Sequence, residues 1–330
     1  MTHKEYEPVH YEVDTLLIEL GFSLIHLVDE KNGVILHEQI NGLRQQMGLE
    51  LGLKIPKVRI IDNIELKPSE YCIKLKGVEA GRAILKKNEA KHAGYKITTH
   101  LSEIIKCNAV DLFGLQDTQN ILDKLRDKYP TVVEEVTKES SCLRIVQIWK
   151  IFQGLLKENV SIRNMPSILE AIAEYAPVTS EIWFHIKKAR EALARQICSQ
   201  YASENRTLHI MTLDPIFEQK ILDSKCHNPA IGDIFSVLEP AFHNAWIKAL
   251  GKMVKLSHEK GHTPVILCSA HARYLVRTAL EREFPEVAVL SVSEIANDFN
   301  VKSSGVIIKE NETKVKITKG NRVSGRAFWV

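Results

Sequence analysis

The segment from His258 to His262 reads H-E-x-x-H, a spacing that suggests hydrolytic chemistry. On a continuous helix, two histidines four residues apart share a face and can bind zinc, while the glutamate activates a bound water. Here the apolar helical stripe ends at Leu256, and Gly261 and Pro264 bracket the second histidine. The pattern therefore favours an ordinary helix end. A zinc-dependent hydrolase based on this motif stays as the alternative interpretation.

No other spacing in the sequence supports catalysis. Residues 320–327 contain the two glycines of a phosphate loop but lack the Lys and Ser/Thr that complete it. The six cysteines include no C-x-x-C pair, and most lie in apolar runs, which is typical of buried free thiols in a reducing compartment. We therefore predict no catalytic residue, no metal site and no cofactor. A binding role is favoured over an enzyme.

The composition is that of a globular protein. Of its 330 residues 45% are apolar and 26% are charged, which suits two or three domains. Lys and Arg number 44 against 41 Asp and Glu, without long blocks of like charge, which argues against a nucleic-acid partner. No run approaches the roughly 20 apolar residues that span a bilayer. We expect this chain to be soluble in the cytoplasm.

The elements predict a multi-subdomain protein with both α+β and α/β parts. Residues 1–128 form the α+β first part. Its apolar runs Thr15–Leu20 and Phe22–Val28 predict strands, and Lys57–Asp62 and Tyr71–Leu75 alternate as half-buried strands do.

Residues 129–205 predict a helical middle part. Ser140 or Ser141 is a plausible N-cap for a helix that begins after it. The stretch Glu181–Gln200 has apolar residues at three- and four-residue spacing and predicts one long helix.

Residues 206–308 predict an α/β C-terminal part. Pro264–Cys268 and Val287–Val292 read as buried strands on either side of a helix for which Ser269 is the expected cap. Such a βαβ unit predicts parallel strands and a right-handed crossover. Residues 309–330 are polar and basic for most of their length and predict a tail.

Several stretches resemble, in the same order, the cytosolic domain of the type III export gate, the FlhA/SctV family of flagella and injectisomes. The residues that carry the resemblance are Ile55–Asn63, Leu66–Tyr71, Leu75–Glu79, Asp111–Gln119, Leu122–Asp123, Leu155–Asn164, Ile168–Pro177, Ala192–Ile197, Pro264–Cys268, Phe284–Pro285 and Val289–Ile295. Each stretch alone is a weak signal, whereas the ordered set is specific. It covers most of the chain.

The resemblance implies a docking function. Members form a nonameric ring of neighbouring copies beneath the export channel at the cytoplasmic face of the bacterial inner membrane. They receive export chaperone–cargo complexes, meet the stalk of the export ATPase and take part in substrate switching. The resemblance also implies a membrane domain preceding this part, and no catalysed reaction.

One departure from the family concerns its small inserted subdomain. Here Gly77 and Gly94 lie close in sequence, so an insert near residues 78–96 is largely missing. The family binds chaperones between this insert and the first subdomain, so one wall of that cleft is reduced. The partner-binding residues implied for the remaining wall are Asp62, Asn63, Tyr71, Tyr95, Thr99, His100 and Leu101.

Purely structural roles stay open for these residues. Thr99 and His100 are compatible with a helix cap ahead of Leu101–Ile105. Asp62–Asn63 is compatible with an Asx turn between strands. The two tyrosines are compatible with simple packing.

Overall fold

The computed structural model describes residues 13–28, 35–86, 89, 92–138, 141, 143–228 and 233–307. The chain divides into two compact units. The first unit is Met1–Ile197 with Pro229–Asp233, and the second is Cys198–Asn228 with Ile234–Val330. The first unit contains both a sheet and most of the helices, so the predicted three-part division stays a prediction. The predicted tail at residues 309–330 lies outside the described residues.

The first unit is built on a four-stranded mixed sheet. Its strands are β1 (Leu16–Leu20), β2 (Val58–Asp62), β3 (Glu70–Leu75) and β4 (Val78–Ile84), in the order β2-β1-β3-β4. β2 runs parallel to β1, whereas β3 and β4 are antiparallel neighbours. Leu16 and Ile18 of β1 are fully buried, as a strand with one face on the core requires.

The predicted strand Phe22–Val28 is wrong. Residues Phe22–Leu27 form a 3-10 helix directly after Gly21. Leu24 and Leu27 are its buried residues, and their spacing of three is the repeat of a 3-10 helix. A run of apolar residues does not by itself distinguish this repeat from a fully buried strand.

Nine helices complete the described part of this region of the chain. They are α1 (Ile35–Leu51), α2 (Ala93–Cys107), α3 (Ala109–Leu112), α4 (Leu115–Lys128), α5 (Pro130–Thr137), α6 (Ile145–Lys157), α7 (Met165–Tyr175), α8 (Ile182–Ala192) and α9 (Ala194–Tyr201). Glu158 and Arg190 form an ion pair of 3.2 Å with both side chains buried. Removing one partner of such a pair leaves a buried charge and typically costs about 3–5 kcal/mol.

Two helix boundaries differ from the prediction. Glu181–Gln200 is not one helix. The helix is interrupted at Leu193, whose backbone amide donates hydrogen bonds to the carbonyls of both Ala189 and Arg190. Ser141 does not cap α6. Arg144 occupies the N-cap, and its amide donates to the Gln147 side chain at 2.7 Å. Ser141 instead accepts from the amide of Leu143 in the preceding turn, and Ser140 lies outside the described residues.

The second unit contains a four-stranded sheet in which all strands are parallel. Its strands are β5 (Thr207–Leu213), β8 (Val265–Cys268), β9 (Ala288–Ser291) and β10 (Asn300–Ile307), in the order β10-β5-β8-β9. The helices are α10 (Pro215–Asp223), α11 (Pro240–Glu259) and α12 (Arg273–Leu280), and β6 (Lys225–Asn228) pairs with β7 (Asp233–Ser236). The fold class is therefore confirmed.

The predicted βαβ unit is present, because β8 and β9 are parallel neighbours joined through α12. Ser269 does not cap this helix itself. Its hydroxyl accepts from the amide of Ala272 at 3.3 Å, one turn before α12 begins at Arg273. The helix ends at Leu280. Within the described ranges, none of the helices combines the length and the apolar content needed to cross a bilayer.

The outer face of the first sheet, opposite Leu16 and Ile18, carries charged groups. Glu19 accepts hydrogen bonds from Lys74 at 2.5 Å and from Asn63 at 2.9 Å. Burial alone raises the pKa of Glu19, but the hydrogen bonds and the charge of Lys74 outweigh it and hold that pKa below its ordinary value.

Stability should depend on the ionisation of Glu19. Its pKa is lower in the folded than in the unfolded chain, so its contribution is full above the unfolded pKa, about 4.3. That contribution is lost as the pH falls through the folded pKa. We expect Glu19→Gln to flatten the fall in unfolding free energy between about pH 5 and about pH 3, measured by urea denaturation. The exposed Glu38→Gln is the control, and identical slopes for both variants contradict the assignment.

Gly52 at the end of α1 should be intolerant of a side chain. Its φ is +80°, and an added Cβ would lie 2.2 Å from the amide nitrogen of Arg163. We expect Gly52→Ala to lower the unfolding free energy by about 2–4 kcal/mol, from left-handed strain and overpacking. Gly42→Ala on the same helix has open space and should gain roughly 0.5–1 kcal/mol. Similar urea midpoints for the two variants would refute this explanation.

Candidate docking surface

Helix α2 forms the body of the candidate surface. Its apolar residues recur at three- and four-residue spacing, so one stripe faces the core and the other side faces solvent. The buried residues are Ala93, Gly94, Ile97, Thr98, Leu101, Ile104 and Ile105. Leu101 is fully buried, so it supports the surface from beneath.

The helix lies very close to the sheet at Gly81 of β4. A Cβ at this position would lie 2.6 Å from Nε2 of His100 and 2.7 Å from Cδ1 of Ile104. The absence of a side chain at Gly81 therefore provides the space that the His100 imidazole occupies. Any larger residue would force α2 side chains to move.

Tyr71 of β3 holds the same imidazole. Its hydroxyl oxygen is hydrogen-bonded to Nδ1 of His100 at 3.0 Å, and the two rings meet edge to face at 5.7 Å. Burial, assisted by the charges of Glu103 and Glu89, raises the pKa of Tyr71 to about 12. The hydroxyl thus stays neutral at physiological pH. Tyr71 is only 3% exposed, which makes it a support for His100 more than a contact.

Tyr95 and Thr99 occupy the solvent side of α2. Tyr95 is 67% exposed, and Thr99 is also exposed. The Thr99 hydroxyl donates to the carbonyl of Tyr95 at 2.8 Å, so both residues are fixed on one turn. The alternative that Thr99 and His100 cap a helix is wrong, because α2 begins at Ala93 and both residues lie in its interior.

Asp62 is the last residue of β2 and Asn63 follows it, two strands away from Tyr71. Asp62 pairs with Leu20, and Leu20 pairs with Tyr71, so the three residues form one row across the sheet. Two strand spacings separate Asp62 from Tyr71, or about 10 Å. Asn63 makes the Asx turn that was left open: its side-chain oxygen accepts from the amide of Glu65 at 2.8 Å.

A surface cleft adjoins Asp62. It has a volume of about 350 Å³ and is lined by Leu20, Ile25, Val28, Ile60, Ile61 and Asp62. Phe22 and Ile64 are 79% and 94% exposed and follow β1 and β2 at the same end of the sheet. Neither residue was among the partner-binding residues predicted from the sequence. Their only signal in the sequence is an apolar residue directly after a turn glycine, for Phe22, and within an Asx turn, for Ile64.

The shortened connection is visible between β4 and α2. β4 ends at Ile84 and α2 begins at Ala93, which leaves a short link where the family resemblance implies an inserted subdomain. β4 is also the edge of the sheet. Only this short link therefore connects β4 to the helix that carries Tyr95 and Thr99.

The H-E-x-x-H segment does not have the geometry of a zinc site. α11 ends at Glu259, and Gly261 follows with a φ of +70°. The amide of His262 bonds to the Ser257 carbonyl and that of Gly261 to the His258 carbonyl, both at 2.9 Å. This is a Schellman turn, and it carries His262 off the helix face that His258 occupies. Among the residues that the structure describes, no group of three or more His, Cys, Asp or Glu is placed to hold a metal.

The comparisons with known proteins agree on one family. The model of the FHIPEP family matches residues 2–96 and 86–300. The flagellar biosynthesis protein FlhA of Borreliella burgdorferi is 33% identical over 341 residues, covering 90% of this chain and 48% of that protein. FlhA of Bacillus subtilis is 34% identical over 339 residues, covering 89% and 50%. The chain thus spans about half the length of the curated relatives it matches.

The alignments give information about the short link between β4 and α2. The two family matches meet at residues 86–96, which is the position of this link. The alignment to the Borreliella burgdorferi protein is 341 residues long and so exceeds the 330 residues of this chain. That relative therefore carries residues that have no counterpart here.

Solved structures share the fold at 20% identity. The Chlamydia pneumoniae CdsV protein has a TM-score of 0.81, with 91% of this chain and 100% of that chain covered. The Chlamydia pneumoniae CdsV and CdsO protein complex gives 0.77, with 92% and 100% covered. The nonameric EPEC SctV-C gives 0.77, with 91% and 100% covered.

The close approach of α2 to β4 can be tested by a double-mutant cycle. We expect Gly81→Ala to lower the unfolding free energy by about 1–3 kcal/mol, because its Cβ meets the side chains of His100 and Ile104. In a His100→Ala background the same change should cost about 1 kcal/mol less. Urea denaturation of the four proteins gives both costs. Equal costs in the two backgrounds would show that His100 does not set this distance.

Proposed function

The chain belongs to the FHIPEP family, and on this premise we propose that it is the cytosolic docking and ring-forming domain of a type III protein-export gate. In this function it receives export chaperone–cargo complexes and takes part in substrate switching. The relatives named flagellar biosynthesis protein FlhA support the export role. The proposal assigns the chain no catalysed reaction, since its work is binding.

The proposed partners include further copies of the same chain. The nonameric assembly of a protein with the same fold supports a ring, and the CdsV and CdsO complex supports a separate partner, which we assign as the stalk of the export ATPase. We further propose that a membrane domain accounts for the length that the relatives have beyond this chain. The ring would then lie at the cytoplasmic face of the bacterial inner membrane.

The exposed pair Tyr95 and Thr99 on α2 is the observation that carries the docking proposal. Tyrosine is enriched among residues that dominate binding energy, because it offers a large rigid surface with a polar end. The pair is held in place from beneath by the Tyr71–His100 hydrogen bond and by the absence of a side chain at Gly81. A rigid exposed aromatic residue loses little entropy when it binds.

The Asp62 cleft provides a second contact region in this proposal. Apolar side chains of a partner can enter beside Ile60 and Ile61, with Asp62 at the rim. Phe22 and Ile64 extend the apolar area. Because the inserted subdomain is reduced, we propose that a chaperone is bound by the α2 surface and this cleft, without an opposing wall.

Calorimetric titration of the chain with a purified export chaperone–cargo complex from the same organism tests the proposal. We expect Tyr95→Ala to weaken binding at least about tenfold, or about 1.4 kcal/mol, because a central exposed aromatic contact is lost. Thr99→Ala should weaken it less. Both variants should keep the urea midpoint of the parent chain, because both side chains are exposed.

Val178→Ala is the matched control. Val178 is 77% exposed in the connection between α7 and α8 and belongs to the same unit. Equal affinities of the Tyr95 and Val178 variants would move the docking site away from α2. Failure of the parent chain to bind any chaperone–cargo complex would reject the docking role.

A further inference from the structure

A pair of stacked histidines in the second unit lies outside the proposed docking surface. The imidazoles of His209 and His262 are 3.6 Å apart between centroids, with 9° between their planes. His209 belongs to β5, and His262 lies in the turn between α11 and β8. The Schellman turn fixes the backbone of His262, so this stack is built into the fold.

Two lysines extend the stack into a cationic cluster. Lys302 of β10 pairs with His209 in the parallel register, which places both side chains on the same face of the sheet. Lys260 directly precedes Gly261 in the turn. Both lysines are exposed, and neither forms an ion pair with any residue that the structure describes.

The charges around His209 are of one sign. Burial lowers the pKa of His209, and the positive charges of His262, Lys302 and Lys260 lower it further. His258 and Glu259 end α11 beside the turn, and within the described residues Glu259 forms no ion pair. β8 contributes only Cys268 as a titratable group, at its far end. The cluster therefore lacks a paired carboxylate of its own.

We propose that His209, His262, Lys260 and Lys302 form a binding site for an acidic peptide segment, which binds more tightly as His209 takes up a proton. Carboxylates supply the negative charge that the cluster lacks. β10 forms the edge of the second sheet, so an extended segment can lie along it with its side chains toward Lys302 and His209. The choice of a peptide over a small anion rests on the proposed function, in which the partners are proteins.

Proton binding and peptide binding are coupled in this site. Without a ligand, a proton on His209 is opposed by His262 and by the two lysines. A bound carboxylate offsets that opposition and raises the affinity of the His209 imidazole for a proton. By reciprocity, protonation raises the affinity for the carboxylate. Affinity must therefore rise as the pH falls toward the pKa of unliganded His209, which lies below the ordinary histidine value of about 6.5.

Fluorescence anisotropy with a labelled oligoglutamate peptide tests the site on the full chain at constant ionic strength. We expect about tenfold tighter binding at about pH 6 than at about pH 8, since uptake of one proton per bound peptide allows up to tenfold per pH unit. Lys302→Gln should weaken binding several-fold at both values. His209→Gln should remove most of the pH dependence. Circular dichroism verifies that both variants are folded.

Lys124→Gln is the control, because it removes the same charge from the exposed face of α4 in the first unit. The proposal is overturned if binding does not depend on pH, or if all three variants bind the peptide as tightly as the parent chain does. Displacement of the peptide by equimolar inorganic phosphate overturns the assignment to a peptide. Tyr95→Ala should bind oligoglutamate normally, so a failure here is separable from a failure of chaperone docking.

Discussion

The close approach of α2 to the first sheet is the constraint on which the candidate docking surface depends. A helix can lie this near a strand only where the strand has no side chain, and Gly81 provides that position. The space is filled by His100, whose ring is then held by the Tyr71 hydroxyl. The buried side of α2 is thereby fixed in rotation, and this fixes which residues face solvent. The exposure of Tyr95 and Thr99 follows from that rotation.

Within the candidate site, the residues that support the surface differ from those that can contact a partner. Leu101 and Tyr71 are buried, and the side chain of Asn63 is used in hydrogen bonds to Glu19 and Glu65. These residues determine shape. Only exposed side chains remain free to determine affinity, and on this surface they include an aromatic ring and an acidic group. The distinction matters because a change in a supporting residue alters stability and binding together.

Strong periodicity made much of the fold predictable from the sequence. The predicted strands Lys57–Asp62 and Tyr71–Leu75 match β2 and β3 to within one residue, and the parallel pair β8 and β9 follows from two buried runs around a helix. The wrong predictions concern segments in which the spacing of apolar residues does not distinguish between the possible structures. A run with buried residues three apart at Phe22–Leu27 was taken for a strand, and the apolar spacing continues through the break at Leu193. Local hydrogen bonds decide both cases.

The candidate site was less predictable than the fold. The family resemblance implied Thr99 and His100, but the sequence did not reveal that one is exposed and the other is hydrogen-bonded to Tyr71. That difference arises from residues 29 positions apart in the chain. The apolar pair Phe22 and Ile64 was missed because single exposed apolar residues are common, so an apolar residue at a turn is a weaker signal than a periodic pattern. Their placement at one end of the sheet is a property of strand pairing.

The strand order of the second sheet has a consequence for the time at which each part of the chain can fold during synthesis. β5 lies between β10 and β8, so the central strand lacks one neighbour until residues 300–307 have left the ribosome. The first sheet, by contrast, has all four strands within residues 16–84. The first unit can therefore assemble its sheet early. The second exposes an unpaired edge of β5 until late in translation, and a chaperone that shields strand edges has most to protect there.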